Sequence, residues 1–274
     1  MKKYLFFLSM FFVLMFPMNG YAENQGVLSM EELSIHIMPE YAYHPNDQKK
    51  NHAPLLIGYQ GTMVNNSKGP QKGQIEIPLP TKEKNFRIGY VADYSSNLSK
   101  AYEIEYLLDR EKGTISWTTS EEIGPNERYK FVIEFFTDSL MVKKEKKSLA
   151  YDFKSFADIG LLNISFTQPE KAKNMKLTPA PEENQNHVEG DKTLSYLFQD
   201  VKAGDEKEFK MKYDRKETKP TTELNNTAVN IDEKKEPKNA THLAVGAFSG
   251  VTVLSAGTLA IFLKKRKRNQ STGD

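Results

Sequence analysis

Apolar residues recur at every second position through most of the chain between Leu33 and Tyr213, a period that selects strands and excludes amphipathic helices. Leu33, Ile35 and Ile37 alternate with Ser34, His36 and Met38. Ile75, Ile77 and Leu79 alternate with Gln74 and Glu76, and Phe86, Ile88 and Tyr90 with Arg87 and Gly89. The pattern continues through Tyr102, Ile104 and Tyr106, then Ile115 and Trp117, then Tyr129, Phe131, Ile133 and Phe135 against Lys130 and Glu134. Turn chemistry falls between these runs, at Asn65 to Pro70, Asp109 to Gly113 and Ile123 to Asn126. With Leu55 to Val64 added, the spacing predicts seven strands between Leu33 and Thr137. Trp117 is expected to point inward on its strand.

A charged connector, Lys143 to Lys147, precedes a second set of alternating runs: Leu149–Phe153, Leu162–Phe166, Leu194–Phe198 and Phe209–Tyr213, with a fifth around Lys173 to Thr178. The sequence Ile123-Gly124-Pro125 followed by Tyr129-Lys130-Phe131 has a loose echo in Val201 to Gly204 followed by Phe209-Lys210-Met211. In each, an apolar residue, a turn and a polar spacer lead to an aromatic that opens a strand. This resembles the E-to-F corner of immunoglobulin-like and fibronectin type III folds. The resemblance implies an all-β ectodomain of two tandem antiparallel β-sandwich modules, residues 23–140 and a smaller one at 141–213, with Tyr129 as the corner aromatic of the first.

The ends of the chain place this β-rich part. Leu243 to Leu263 is a run of 21 residues without a charge, followed at once by Lys264, Lys265, Arg266, Lys267 and Arg268. At about 1.5 Å per residue such a helix spans roughly the 30 Å apolar layer of a bilayer, and the cations fix the C-terminal side as cytoplasmic. Residues 1–22 read as a secretory signal, with Lys2 and Lys3, an apolar run to Phe16, Pro17, Gly20 and a small Ala22 for cleavage. The expectation is a single-pass type I protein of the cell membrane: signal at 1–22, ectodomain outside, disordered stalk at 214–242, transmembrane helix at 243–263 and basic tail at 264–274. The stalk is assigned by composition, since Asp214 to His242 has many charged and polar residues and few that could enter a core. In the span, Gly246 and Gly250 form a GxxxG that would let two helices approach closely, which makes a homodimer through the membrane helix one expectation.

Charge and cysteine usage narrow the class. The net charge of +2 resides in the signal and tail, and the segment Glu23 to His242 carries −4, so no nucleic-acid partner is expected. The 274 residues contain no cysteine, although disulfides are the common staple of exported domains. A Lys- and Asn-rich, cysteine-free exported chain resembles surface proteins of Gram-positive bacteria. The layout of stalk, span and basic tail resembles a sorting signal, yet no LPxTG motif is present, so retention as an intact membrane protein is expected.

Chemistry-bearing motifs are sparse. His36, Met38, His44 and His52 fall within seventeen residues, and imidazole with thioether suits copper. Against this, His44 and His52 lie in a stretch rich in Pro, Asn and Lys, where histidines are ordinarily solvated. No GxSxG or SxxK frames a serine, and no P-loop or dinucleotide fingerprint occurs. Glu103 with Glu105 and Glu121 with Glu122 read as solvated faces. Tyr41, Tyr43, Tyr59 and Tyr94 fall in or beside loops, where amphipathic rings suit partner contact. The sequence therefore points to a non-enzymatic extracellular binding or envelope-assembly protein that needs no cofactor and meets a partner still to be identified. The alternative is an exported copper-handling protein using His36, Met38, His44 and His52.

Overall fold

The computed structural model describes residues 27–47, 52–95, 100–181 and 193–229. The expected signal at 1–22, the span at 243–263 with Gly246 and Gly250, and the tail at 264–274 lie outside the described residues, among which no helix is long and apolar enough to cross a membrane. Among the described residues the fold is all-β apart from one short helix.

In chain order the strands are β1 (Leu28–Pro39), β2 (Leu55–Asn65), β3 (Gln74–Pro78), β4 (Arg87–Tyr94), β5 (Ala101–Glu103), β6 (Leu107–Asp109), β7 (Thr114–Thr118), β8 (Arg128–Thr137), β9 (Met141–Lys143), β10 (Lys146–Lys154), β11 (Ile159–Thr167), β12 (Lys173–Thr178), β13 (Thr193–Val201) and β14 (Glu206–Asp214). Helix α1 (Thr221–Val229) follows. They form a seven-stranded sheet in the order β13-β11-β1-β2-β8-β4-β5, a four-stranded sheet β12-β14-β10-β9 and a three-stranded sheet β3-β7-β6.

This arrangement differs from the expected pair of tandem antiparallel modules. β1 pairs parallel with β11, from Met30↔Ile159 to Ile37↔Phe166, so the large sheet draws strands from both sides of residue 140. All five strands expected after residue 141 are present, but β11 and β13 join the large sheet while β10, β12 and β14 form the smaller one. The reason is physical: alternation reports which face of a strand is buried and is silent on which edge meets which neighbour. Likewise the Lys143–Lys147 connector is the turn of the β9–β10 hairpin, with Lys143 opposite Lys146 and Lys144 at a φ of 56°. The strand expected over Tyr102 to Tyr106 stops at Glu103, the end of β5 in the large sheet; residues 104–106 are not in a strand, and the chain changes layers there to enter β6 of the three-stranded sheet at Leu107.

One core unites the three sheets. Leu33, Ile35, Phe131, Phe135 and Phe166 on the large sheet belong to the same buried cluster as Ile77, Ile115 and Trp117 of the three-stranded sheet and Leu149, Phe209 and Met211 of the four-stranded sheet. Trp117 packs on Phe131 with ring centres 5.3 Å apart, and Phe209 on Phe166 at 5.4 Å, so both smaller sheets cover the same face of the large one. Trp117 is inward, as its alternation requires. Each such large side chain removed from water contributes about 1.5–3 kcal/mol. Gly61 of β2 lies directly opposite Phe131, and a Cβ there would stand 2.2 Å from the ring, so only glycine lets the ring lie flat on the sheet.

Tyr129 does not act as a corner lock. Its hydroxyl accepts a 2.7 Å hydrogen bond from Trp117 Nε1 and donates one of 3.0 Å to Asp93 Oδ2, which ties β8 to β7 and β4.

The expected stalk also needs correction at its start. Arg215 is fully buried, its Nη1 3.2 Å from Glu40 Oε1, and its guanidinium donates to the carbonyl oxygens of Glu170, Glu217 and Lys219. Tyr213 donates a 2.7 Å hydrogen bond to Glu40 Oε2. The first N–H groups of a helix lack partners within it, and those of Thr221 and Thr222 donate instead to the carbonyls of Glu40 and Tyr41, each at 3.0 Å. Residues 215–222 are thus fastened to the end of β1. Composition missed this because the anchor is a buried ion pair, not an apolar stripe.

Candidate functional site

The face of the large sheet turned away from the two smaller sheets carries the strongest concentration of polar chemistry. Residues directly opposite one another in neighbouring strands share a face. The registers therefore place Ser195, Ser165, His36, Gly58, Glu134 and Tyr90 in one row across β13, β11, β1, β2, β8 and β4. At about 4.8 Å between strands, the backbones of His36 and Glu134 stand about 10 Å apart. Gly58 between them contributes no side chain.

Two titratable groups of the row are buried: His36 is 8% exposed and Glu134 3%. His36 Nδ1 and Ser165 Oγ share a hydrogen bond of 2.9 Å. Burial lowers the imidazole from 6.5 to about 4, which keeps it neutral near neutral pH. Burial pushes the Glu134 carboxyl up from 4.5 to about 7. No hydrogen bond or ion pair with another described residue meets that carboxyl.

Three tyrosines surround it. Tyr90 is opposite Glu134 in the register, and Tyr41 and Tyr94 pack with it against the apolar cluster of Met38, Leu56, Ala92, Val132 and Phe136 on this same face. Burial, and after it the Glu134 charge, holds the Tyr41 and Tyr94 phenols above their ordinary range. Tyr90 is raised by burial first, then by Tyr94, Glu103 and Glu134.

The residues singled out in the sequence are partly united here. His36 and Met38 alternate on one face of β1. His44 reaches the Met38 cluster through Phe136, its ring edge-on at 5.3 Å. Its role is structural: Nδ1 accepts a hydrogen bond from the Asn46 amide (3.1 Å), so Nε2 carries the proton and donates to the Ile88 carbonyl (3.0 Å). With both nitrogens engaged, the imidazole closes the loop after β1 onto β4. His52 lies elsewhere, in a polar depression of about 240 Å³ with Tyr43, Asp47, Lys84 and Asp138, its Nδ1 2.9 Å from the Ala53 carbonyl. Among the described residues no group of three or more His, Asp or Glu is placed to hold a metal ion. Tyr59, expected at a loop, is a core residue whose hydroxyl is 3.3 Å from that of Tyr151. These two line a cleft of about 240 Å³ between the smaller sheets, together with Leu79 and Phe153.

The alternation assigned Glu134 to a solvated face. The available signal was its setting, Phe131-Val132-Ile133-Glu134-Phe135-Phe136, in which it is the one polar residue in an apolar run of a strand buried on both faces.

No family model matches the chain, and no curated protein matches it. Among solved structures it is similar to a protein described as nutrient binding from Legionella pneumophila subsp. pneumophila str. Philadelphia 1. The identity is 11% and the TM-score 0.41, over 68% of this chain and 67% of the other. It is similar to an M1 zinc metallopeptidase from Deinococcus radiodurans at 9% identity and a TM-score of 0.39, over 69% of this chain and 43% of the peptidase. A protein from Parabacteroides distasonis ATCC 8503 described as a protease gives 9% and 0.35, over 69% of this chain and 40% of that one. The chain spans less than half the length of the last two.

Proposed function

We propose that the chain is a membrane-tethered extracellular binding protein without catalytic activity, single-pass with the β-rich part outside and the basic tail in the cytoplasm. Its candidate recognition groups lie on the far face of the large sheet, where His36 and Glu134 are buried. The observation that carries the binding role is the row of Ser165, His36, Glu134 and Tyr90. Its groups are held rigidly on central strands, yet the Glu134 carboxyl makes no hydrogen bond to His36, and general-base chemistry of the triad type needs such a contact. The placement rests on the signal at 1–22 and the charge-free run at 243–263 with its five following cations. Gly246 and Gly250 in that run supply a packing face for a homodimer.

Because the chain has no cysteine, single thiols test this placement cleanly. In cells stripped of wall, Lys68→Cys, in an exposed turn, is expected to react with a membrane-impermeant maleimide, whereas Thr272→Cys reacts only after lysis. Labelling of Thr272→Cys in intact cells, with Lys68→Cys protected, would reverse the topology and end the extracellular reading.

A further inference from the structure

We propose that the outer face of the four-stranded sheet docks on the anionic headgroups of the membrane that anchors the chain, through Lys143, Lys146, Lys173, Lys176, Lys210 and Lys212. This rests on the membrane-tethered reading above and adds how the β-rich part sits on that membrane.

The registers build this face strand by strand. Residues directly opposite one another share a face, so Lys176, Lys212, Ser148 and Met141 form one row across β12, β14, β10 and β9. Lys173, Asp214, Lys146 and Lys143 form the row on one side of it, and Thr178, Lys210 and Ala150 the row on the other. The alternate residues Leu149, Leu177, Met211 and Tyr213 are buried, which turns the lysines outward, and all six are exposed. At about 4.8 Å between strands and about 7 Å between rows, the patch is about 14 Å on a side. Asp214 is the one carboxylate in these rows, and it accepts a 2.9 Å hydrogen bond from Asn174 Nδ2.

Composition does not explain the patch. Cations and anions nearly balance in the chain, 38 Lys and Arg against 36 Asp and Glu. The same sheet face turns acidic at its far end, where Asp152, Glu206 and Glu208 stand and Lys154 pairs with Glu206 at 2.9 Å. At the lysine end Lys176 is opposite Lys212, and Lys143 is opposite Lys146. Like charges directly opposite destabilise a sheet, and an anionic surface laid against them offsets the repulsion.

Two further observations select a bilayer among anionic partners. Met141, 57% exposed, ends the row of Lys176 and Lys212. A flat lysine face with an apolar side chain at its rim suits a headgroup layer, where the ammonium groups stay with the phosphates and the thioether enters beneath them. The chain also leaves the β-rich part at this end. The Arg215 amide donates a 2.8 Å hydrogen bond to the Glu145 carbonyl in the β9–β10 turn, and Lys216 Nζ lies 3.3 Å from the Glu145 carboxylate. Thirteen residues separate Val229 from the charge-free run at Leu243, a reach of at most about 50 Å. The tether therefore keeps the patch at high effective concentration beside the bilayer, where each lysine strengthens contact with an anionic surface about fivefold.

The test reconstitutes the full chain in vesicles of phosphatidylcholine, alone or with about 30% phosphatidylglycerol to supply the negative surface potential. A bimane is attached at Met141→Cys or at Leu107→Cys, each then the single thiol, and its quenching by a lipid with a nitroxide on the headgroup is measured. The label at 141 should be quenched strongly in anionic vesicles and weakly in neutral ones. The label at 107, on the three-stranded sheet, should be quenched in neither, although Leu107 is the more exposed residue at 74%. Salt at about 1 M, where the screening length falls to about 3 Å, should abolish the quenching at 141. Lys176→Gln with Lys210→Gln and Lys212→Gln should weaken docking on the order of a hundredfold, while Trp117 emission shows an intact fold. Equal quenching at 141 in neutral and anionic vesicles would overturn the proposal, as would quenching that survives in the folded triple variant or in high salt. The salt series on the parent keeps the test decisive if the triple variant does not fold. The maleimide experiment is independent of this one, so absent docking beside the expected labelling removes this surface and leaves the topology standing.

Discussion

Arg215→Met is expected to destabilise the protein by about 3–5 kcal/mol, the range seen when one partner of a buried ion pair is removed. Both side chains of the Arg215–Glu40 pair are 0% exposed. Methionine would leave the Glu40 carboxylate buried with only the Tyr213 hydroxyl, and would strip the donor from the carbonyls of Glu170, Glu217 and Lys219. The loss should also release the segment after β14, since among its described residues Arg215 is the one fully buried large side chain. Urea unfolding followed by Trp117 emission gives the first number. Limited trypsin gives the second, with cleavage after Lys216 appearing in the variant well before it appears in the parent. Adding Glu40→Gln to Arg215→Met should restore part of the stability by removing the stranded charge. Equal stabilities of parent and Arg215→Met would show that the pair anchors nothing.

The second large effect lies in the pH dependence, where His36 and Glu134 pull in opposite directions. An unfolded histidine takes up a proton near pH 6.5, but the folded one resists until about 4, so stability falls as pH drops through that window. An unfolded glutamic acid gives up its proton near 4.5, whereas buried Glu134 holds it to about 7, so stability falls as pH rises between those values. Either displacement corresponds to about 3 kcal/mol when fully expressed. Where the windows overlap, the two slopes cancel. Glu134→Gln should therefore match the parent below about pH 4.5, gain steadily on it as pH rises, and exceed it by up to about 3 kcal/mol above about pH 7. In that variant the unopposed His36 should leave stability falling on acidification from about 6.5. Urea midpoints across this range check both slopes, and a constant difference between parent and variant would mean that Glu134 titrates like an exposed carboxyl.

How much of this was legible in the chain follows from what alternation can encode. It placed Leu33, Ile35, Ile37, Phe131, Phe135 and Trp117 inside, because burial on one face writes itself directly into every second residue. It could not show that β1 pairs with β11, since a parallel partner more than a hundred residues away leaves no local trace. It also put Ser34, His36 and Glu134 on the polar side of their strands, although all three are buried, because a polar residue on a covered face looks the same in sequence as one in water. Arg215 was misread for the same reason: a lysine- and threonine-rich stretch gives no sign that one of its cations finds a buried carboxylate. The histidine and methionine cluster was legible as proximity in sequence. Its chemistry was not, since the hydrogen bonds of His44 to Asn46 and Ile88 depend on a loop closing over Phe136.

The account stands on one sheet shared by both halves of the chain, because only the β1–β11 pairing brings Ser165 beside His36 and completes the row that reaches Glu134. Native-state hydrogen exchange of residues 23–229 under rising denaturant tests this most directly. The central amides of β8, in the first half, and of β11 and β14, in the second, should share one opening free energy and converge on a single global transition. Two separate limits, with β10 to β14 exchanging through an opening that leaves β2 and β8 protected, would contradict it and restore a pair of independent modules.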